Sequence, residues 1–147
     1  MADHPVLRQT VIDAPDARVL AEFYRRLLGL RYRPGDEPSD TGVDDEQARH
    51  WLALHHHDGM PVLAFQPVAA LPTVTWPDGE HPQMLHLDLT VPTVEDLQRQ
   101  HRRALELGAT HLLDRADDPH EPLHVYADPA GHPFCVFVAP GGPDDGH

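Results

Sequence analysis

His86 and Asp88 carry the most chemical potential in this 147-residue sequence. They stand two apart in the run Met84-Leu85-His86-Leu87-Asp88-Leu89-Thr90-Val91, so on a strand both side chains project to one face. An imidazole that titrates near neutrality can act as acid, base or hydrogen-bond donor. A carboxylate beside it can orient the ring or take the proton itself; equally, the pair can be a cavity histidine tied to a structural carboxylate. Gln9 and Gln66 offer neutral donors and acceptors to a ligand or to each other. Trp51, with Ala53 two residues on, presents either a flat surface for stacking or a core side chain. Cys135 is the single cysteine; it can ligate a soft metal, although a lone buried thiol is more often an apolar filler. Thirteen histidines invite a metal reading. His55-His56-His57 sits at a strand end, where consecutive rings alternate faces and do not converge, and His4, His81, His120 and His147 fall in loops or termini and read as surface. Trp76 lies in a proline-rich linker, from where it could act as a lid.

Composition narrows the partners. Eleven Lys plus Arg against 24 Asp plus Glu give a formal charge of −13, which repels nucleic-acid phosphates and anionic membranes. A small organic molecule is the expected partner. One cysteine excludes an internal disulfide framework, and no apolar run approaches the roughly 20 residues of a membrane span. The N-terminus has no basic region followed by an apolar stretch, so a cytoplasmic location is expected. The length suits one domain over 1–147.

Positioning these residues is a repeat. Displaced by 77 residues, Gln9 to Leu30 aligns with His86 to Leu107, with Pro15/Pro92, Leu20/Leu97, Arg25/Arg102, Arg26/Arg103, Leu28/Leu105 and Leu30/Leu107 identical. Ala17, Leu20, Ala21, Tyr24, Leu27 and Leu28 follow helical spacing, and Val94, Leu97, His101, Ala104 and Leu105 repeat that stripe. Phe23 and Tyr24 read as core, whereas Arg25, Arg26, Arg102 and Arg103 read as solvated helix faces. Asp16 and Thr93 are the expected N-caps, with Asp96 completing a capping box, and Gly29 and Gly108 the expected C-terminal glycines. Strands are predicted at Val6–Ile12, Arg31–Arg33, Ala48–His55 and Pro61–Val68, then at Met84–Val91, Thr110–Leu113, Leu123–Ala127 and Pro133–Val138. His57-Asp58-Gly59 and Asp128-Pro129-Ala130-Gly131 supply turns. Two βαβββ modules result, over about 5–68 and 84–140, with a linker at 69–83, a mobile loop at 34–45 and a disordered tail at 141–147. Alternation places Thr10, Ile12, Leu85, Leu87 and Leu89 under the helices; Gln9, Val11, Asp13, His86, Asp88 and Thr90 face the other way.

These segments resemble the vicinal oxygen chelate superfamily of glyoxalases, bleomycin-resistance proteins and dioxygenases. The resemblance rests on Phe23-Tyr24 ahead of Leu28-Gly29, on Asp128-Pro129-Ala130-Gly131-His132-Pro133-Phe134, and on Leu63-Ala64-Phe65-Gln66 followed by His86-Leu87-Asp88-Leu89. The last two are similar to a glyoxalase-like branch common in actinobacteria. The resemblance implies an α+β fold, in which two tandem βαβββ modules form a curved, cup-like mixed sheet with helices outside. It implies a cavity lined here by Gln9, Val11, Asp13, Trp51, Gln66, His86, Asp88 and Cys135, and homodimers are common in such a family. Metal-dependent members draw ligands from four strand positions. Carried over, Gln9 and His86 are acceptable donors, but Ala64 and Cys135 stand where carboxylate or imidazole is required. The expectation is therefore a metal-free protein binding a small, aromatic molecule. Two alternatives stay open: a metal-independent enzyme using His86 and Asp88 for proton transfer, and a lyase or dioxygenase holding a divalent ion on Gln9 and His86.

Overall fold

The two helices begin and end where the side chains require it. Asp16 accepts a hydrogen bond from the Val19 N–H at 3.1 Å, and Thr93 accepts one from the Asp96 N–H at 3.1 Å. Asp96 does not reach back to the cap backbone as a capping-box glutamate would; its carboxylate accepts from the Thr93 hydroxyl at 2.8 Å. Gly29 and Gly108 close the helices in the left-handed region, φ 66° and 117°.

This computed structural model describes residues 3–39, 44–75 and 79–139. The chain forms two units, 1–71 and 72–147. In the first, β1 (Thr10–Ala14), α1 (Ala17–Leu28), β2 (Arg31–Tyr32), β3 (Leu52–His55) and β4 (Pro61–Pro67) form a sheet of order β1-β4-β3-β2 with α1 packed on it. In the second, β5 (Leu87–Val91), α2 (Val94–Leu107), β6 (Thr110–Arg115), β7 (Leu123–Ala127) and β8 (Pro133–Val138) repeat that topology as β5-β8-β7-β6. The first strand of each unit runs parallel to its last, and the other pairs are antiparallel. Both units thus have the βαβββ architecture of the vicinal oxygen chelate fold. No described helix is long and apolar enough to cross a membrane.

Each core lies between helix and sheet. Leu20, Ala21, Phe23 and Tyr24 of α1 are buried with Ile12, Ala14, Leu54 and Phe65 of the first unit; Leu97 and Ala104 of α2 are buried with Tyr126, Phe134 and Val136 of the second. Tyr24 stacks on Phe65 with ring centroids 6.1 Å apart.

Several boundaries differ from the sequence expectation. β1 starts at Thr10 rather than Val6 and β5 at Leu87 rather than Met84. The cause is the partner strand: Thr10 pairs with Leu63 and Leu87 with Phe134. β4 and β8 begin at Pro61 and Pro133 directly after tight turns, and the parallel registers set Arg8 opposite Pro61 and His86 opposite Pro133, so Val6, Leu7, Met84 and Leu85 have no strand residue to pair with. Leu85, expected under the helix, is 62% exposed. β3 starts at Leu52, because a 3₁₀ turn at Gln47–Arg49 occupies the predicted start of that strand. The loop expected to be mobile over 34–45 is tied down in its described part, where buried Asp36 accepts from the Ala53 N–H at 2.9 Å and pairs with Arg33 at 3.1 Å. Trp76, the tail 141–147 and the middle of that loop lie outside the described residues.

Arg25 is less solvated than its helix position suggests, since its guanidinium forks onto Glu22 with two bonds of 2.9 Å, and Tyr32 donates to the same carboxylate at 2.8 Å. The Arg25 bonds, joined by the Tyr32 hydroxyl and offset in part by burial, hold Glu22 below the ordinary carboxylate value. A carboxylate depressed in the folded state contributes stability that is fully present above its unfolded pKa and is lost as pH falls through the folded value. Glu22→Gln is therefore expected to unfold at lower urea than the parent at neutral pH, with the gap closing as the pH falls below the ordinary carboxylate range. A gap independent of pH would show that the bonds, not the charge, carry the effect.

Candidate site on the helix-free face of the second sheet

Alternation along β5, β8 and β7 gives the second sheet two unlike faces. Leu89, Val136 and His124 lie in one cross-strand row, as do Leu87, Phe134 and Tyr126, and these face α2. The intervening rows, Asp88–Cys135–Val125 and Thr90–Phe137–Leu123, face the opposite way. The β5–β8 register therefore places Asp88 and Cys135 side by side.

The Cys135 thiol donates to Asp88 Oδ1 at 2.7 Å, and His86 Nε2 lies 3.1 Å from the same oxygen. His86 and Asp88 are open to solvent, with side chains 46% and 57% exposed. Burial, reinforced by the bond to Asp88 and its charge, pushes the Cys135 thiol up to about 12. The thiol is therefore a neutral donor near pH 7, not a nucleophile. It fixes one carboxylate oxygen, while Oδ2 of Asp88 has no hydrogen bond among the described residues. The arrangement can accept a hydrogen bond or a positive charge from a ligand, and it can pass a proton between His86 and Asp88.

The other predicted site residues belong to the first unit. Val11, Asp13 and Gln66 share the helix-free face of its sheet, with Val11 paired to Ala64 and Asp13 to Gln66. Gln9 and Trp51 fall outside the strands on which they were expected, just before β1 and β3. Gln47 Nε2 donates to the Trp51 carbonyl at 3.0 Å, so Trp51 is tied to the 3₁₀ turn that precedes it. A shallow depression of about 390 Å³ beside the start of α1 is lined by Pro15, Asp16, Ala17, Arg49 and Pro67. Its carboxylate, Asp16, is committed to capping the helix.

The divalent ion implied by the family resemblance fits these residues poorly. Ala64 is fully buried and offers no donor. Cys135 is a protonated thiol where a carboxylate is required, and Gln9 lies off the strand. His86, Asp88 and Cys135 do bring one ligand atom each within 4.8 Å of one another, but an N/O/S set with a thiol suits a borderline or soft ion rather than Mg²⁺ or Mn²⁺.

A second cluster was not legible as such in the sequence. His101 on α2, His111 on β6 and His124 on β7 also bring ligand atoms within 4.8 Å. His101 was visible on the apolar stripe of α2. Its partners were hidden by a bulge in β6: His111 pairs with Tyr126 and Leu113 with Val125, so Leu112 is the extra residue. Without it, alternation would put His111 and Leu113 on one face; with it, His111 joins Asp114 and His124 on the helix side. Burial, together with the neighbouring rings, holds His101 and His124 below the ordinary imidazole value.

The protected thiol has a direct consequence. At pH 8 a thiol near 12 has roughly a thousandfold less thiolate than a free cysteine, and the greater intrinsic nucleophilicity of a more basic thiolate offsets part of that. Labelling of Cys135 by an alkylating reagent should be on the order of fiftyfold slower than in the urea-unfolded chain. Equal rates would mean that the Asp88–Cys135 contact does not persist in solution.

The family described as "Glyoxalase-like domain" matches residues 9–137. No curated protein matches the sequence. Among solved structures, a fosfomycin resistance protein, FosX, from Listeria monocytogenes, complexed with Mn(II) and sulfate, is 12% identical, with TM-score 0.62 over 95% of this chain and 94% of that one. A glyoxalase/bleomycin resistance protein/dioxygenase family enzyme from Burkholderia phytofirmans is 14% identical, with TM-score 0.62 over 89% and 96%. A glyoxalase/dioxygenase from Nostoc punctiforme is 17% identical, with TM-score 0.60 over 95% and 99%. At such identities the structural likeness establishes the fold, and the family match covers nearly all of the described chain. This chain belongs to the glyoxalase-like domain family.

Proposed function

We propose that the chain binds a small organic molecule on the helix-free sheet face, that the ligand is aromatic and carries a cationic or N–H group, and that no catalytic metal takes part. The observation that carries this reading is the Asp88 carboxylate, held by Cys135 and His86 through one oxygen and left open at the other. The next row on that face carries half-buried Phe137 and Leu123, apolar surface for a flat ligand. The charge of −13 favours a cation electrostatically. Absence of a catalytic metal is supported by Ala64 and Cys135, which withhold two of the four donors that metal-dependent relatives use.

A second reading rests on the 3.1 Å approach of His86 to Asp88. A half-open imidazole–carboxylate pair is also a proton-transfer device, so the same face could catalyse a metal-independent isomerisation or tailoring step. Both readings are tested by screening aromatic amines and their neutral isosteres by thermal shift, then measuring affinities calorimetrically. Asp88→Asn should weaken a cationic hit by roughly ten- to a hundredfold, the worth of a charge-assisted bond, while leaving the neutral isostere unaffected. Insensitivity to Asp88→Asn ends the binding proposal. Turnover lost in His86→Ala with affinity retained would select the enzyme.

We also propose a homodimer. Met84 and Leu85, adjacent in the second unit, are 99% and 62% exposed, apolar surface that a partner copy would cover. Light scattering should then give about twice 16.4 kDa, with Leu85→Asp shifting the mass toward that of one chain. A mass of one chain for the parent would refute it.

A further inference from the structure

We propose that His101, His111 and His124 form a zinc-binding site on the helix-covered side of the second sheet, separate from the His86–Asp88–Cys135 cluster. The register separates the two. His124 pairs with Asp114 on one side and Val136 on the other, in a row that faces α2, whereas Asp88 and Cys135 occupy a row of opposite facing.

The donors converge from three elements. His111 Nε2 and His124 Nδ1 lie 2.9 Å apart, a contact that between two neutral imidazoles requires one shared proton. The His101 ring stacks on His124 with centroids 4.2 Å apart and an interplanar angle of 18°. The Tyr126 hydroxyl, 2.7 Å from His101 Nδ1, fixes the rotation of that ring in the way that an outer-shell partner orients a metal-bound histidine. A tetrahedral zinc with nitrogen ligands at about 2.0–2.1 Å sets its donors about 3.3 Å apart. The His111–His124 pair must open by a few tenths of an ångström for this, the widest separation, at most 4.8 Å, must close, and one of the nearly parallel His101 and His124 rings must turn out of the stack so that both direct a lone pair at the ion.

The chemistry of the donors selects the ion. Three neutral imidazoles suit zinc, whereas magnesium and calcium demand oxygen ligands. At the rim, Asp114 Oδ1 stands 3.8 Å from His124 Nδ1 with its side chain 62% exposed, while the His124 side chain is 5% exposed. The cluster therefore has a carboxylate at a solvent-facing mouth and nitrogen donors behind it. Zinc there would tie α2 to β6, an edge strand that is hydrogen-bonded in the sheet to β7 alone.

The test uses the untagged full chain, stripped with chelator, dialysed and titrated with zinc. One equivalent should bind and raise the melting temperature. His111→Asn and His124→Asn should bind roughly a hundredfold more weakly and lose that gain, whereas His86→Asn, Cys135→Ser and His57→Asn should keep both. Cobalt substitution of the parent gives a readout independent of whether a variant folds: imidazole ligation produces tetrahedral d–d bands without a thiolate charge-transfer band. Failure of the stripped parent to bind stoichiometric zinc, zinc binding undiminished in His111→Asn, or a thiolate band lost in Cys135→Ser would each overturn the proposal.

Discussion

Each unit depends on one helix lying across one face of a four-stranded sheet. A single helix covers a single face, and strand alternation then forces the sequence into two sets of opposite character. On one side Ile12, Ala14 and Phe65, or Phe134, Val136 and Tyr126, close against the helix. On the other side stand Val11, Asp13 and Gln66, or Asp88, Thr90 and Cys135. Polar groups on the second set have no helix to satisfy them, so they bond to one another, to water or to a ligand. The Asp88–Cys135 contact follows directly. It is a lateral bond between neighbouring strands, made because each group is the other's nearest polar partner.

Polar side chains that are fully buried are treated differently, and the contrast separates structure from site. Asp128 is 4% exposed and accepts from the N–H groups of Ala130 and His132, at 2.9 and 3.0 Å, in the turn before β8. Asp36 likewise binds the Ala53 N–H. These carboxylates hold backbone in place and are spent on it. Asp88 holds no backbone and remains open, which makes it the acid most available to an incoming molecule among the candidates named in the sequence.

Much of this was legible without coordinates because it depends on local chemistry. The 77-residue repeat carried the topology, Asp16 and Thr93 marked the helix starts, and β4, β7 and β8 lay within a residue of their predicted spans. What escaped were features decided by a distant partner. Val6 and Met84 read as strand by composition, but a strand extends only as far as its neighbour, and the residues they would face lie before Pro61 and Pro133, where β4 and β8 begin. Trp51 read as strand because the Gln47 side chain that captures its carbonyl is a local competitor that alternation cannot register. The three-histidine cluster required the bulge at Leu112, one residue whose effect is to reverse the facing of everything before it in β6.

The position of the carboxylate bears on whether the helix-free face suits a hard metal. Where the family resemblance calls for a carboxylate on β8, this chain has Cys135, and the nearest carboxylate is Asp88 on the adjacent strand. Neighbouring strands are about 4.8 Å apart, more than twice the ~2.0–2.2 Å of a metal–carboxylate bond. A side chain displaced by that much does not restore the original coordination point by a small rotation. Here it is also restrained, since the oxygen that would move is the one bonded to the Cys135 thiol and approached by His86. The same displacement leaves an anionic group with one open oxygen on an otherwise apolar row. That is a poor fourth corner for Mn²⁺ and a good anchor for an organic cation or N–H group, which needs one oriented acceptor rather than a complete shell.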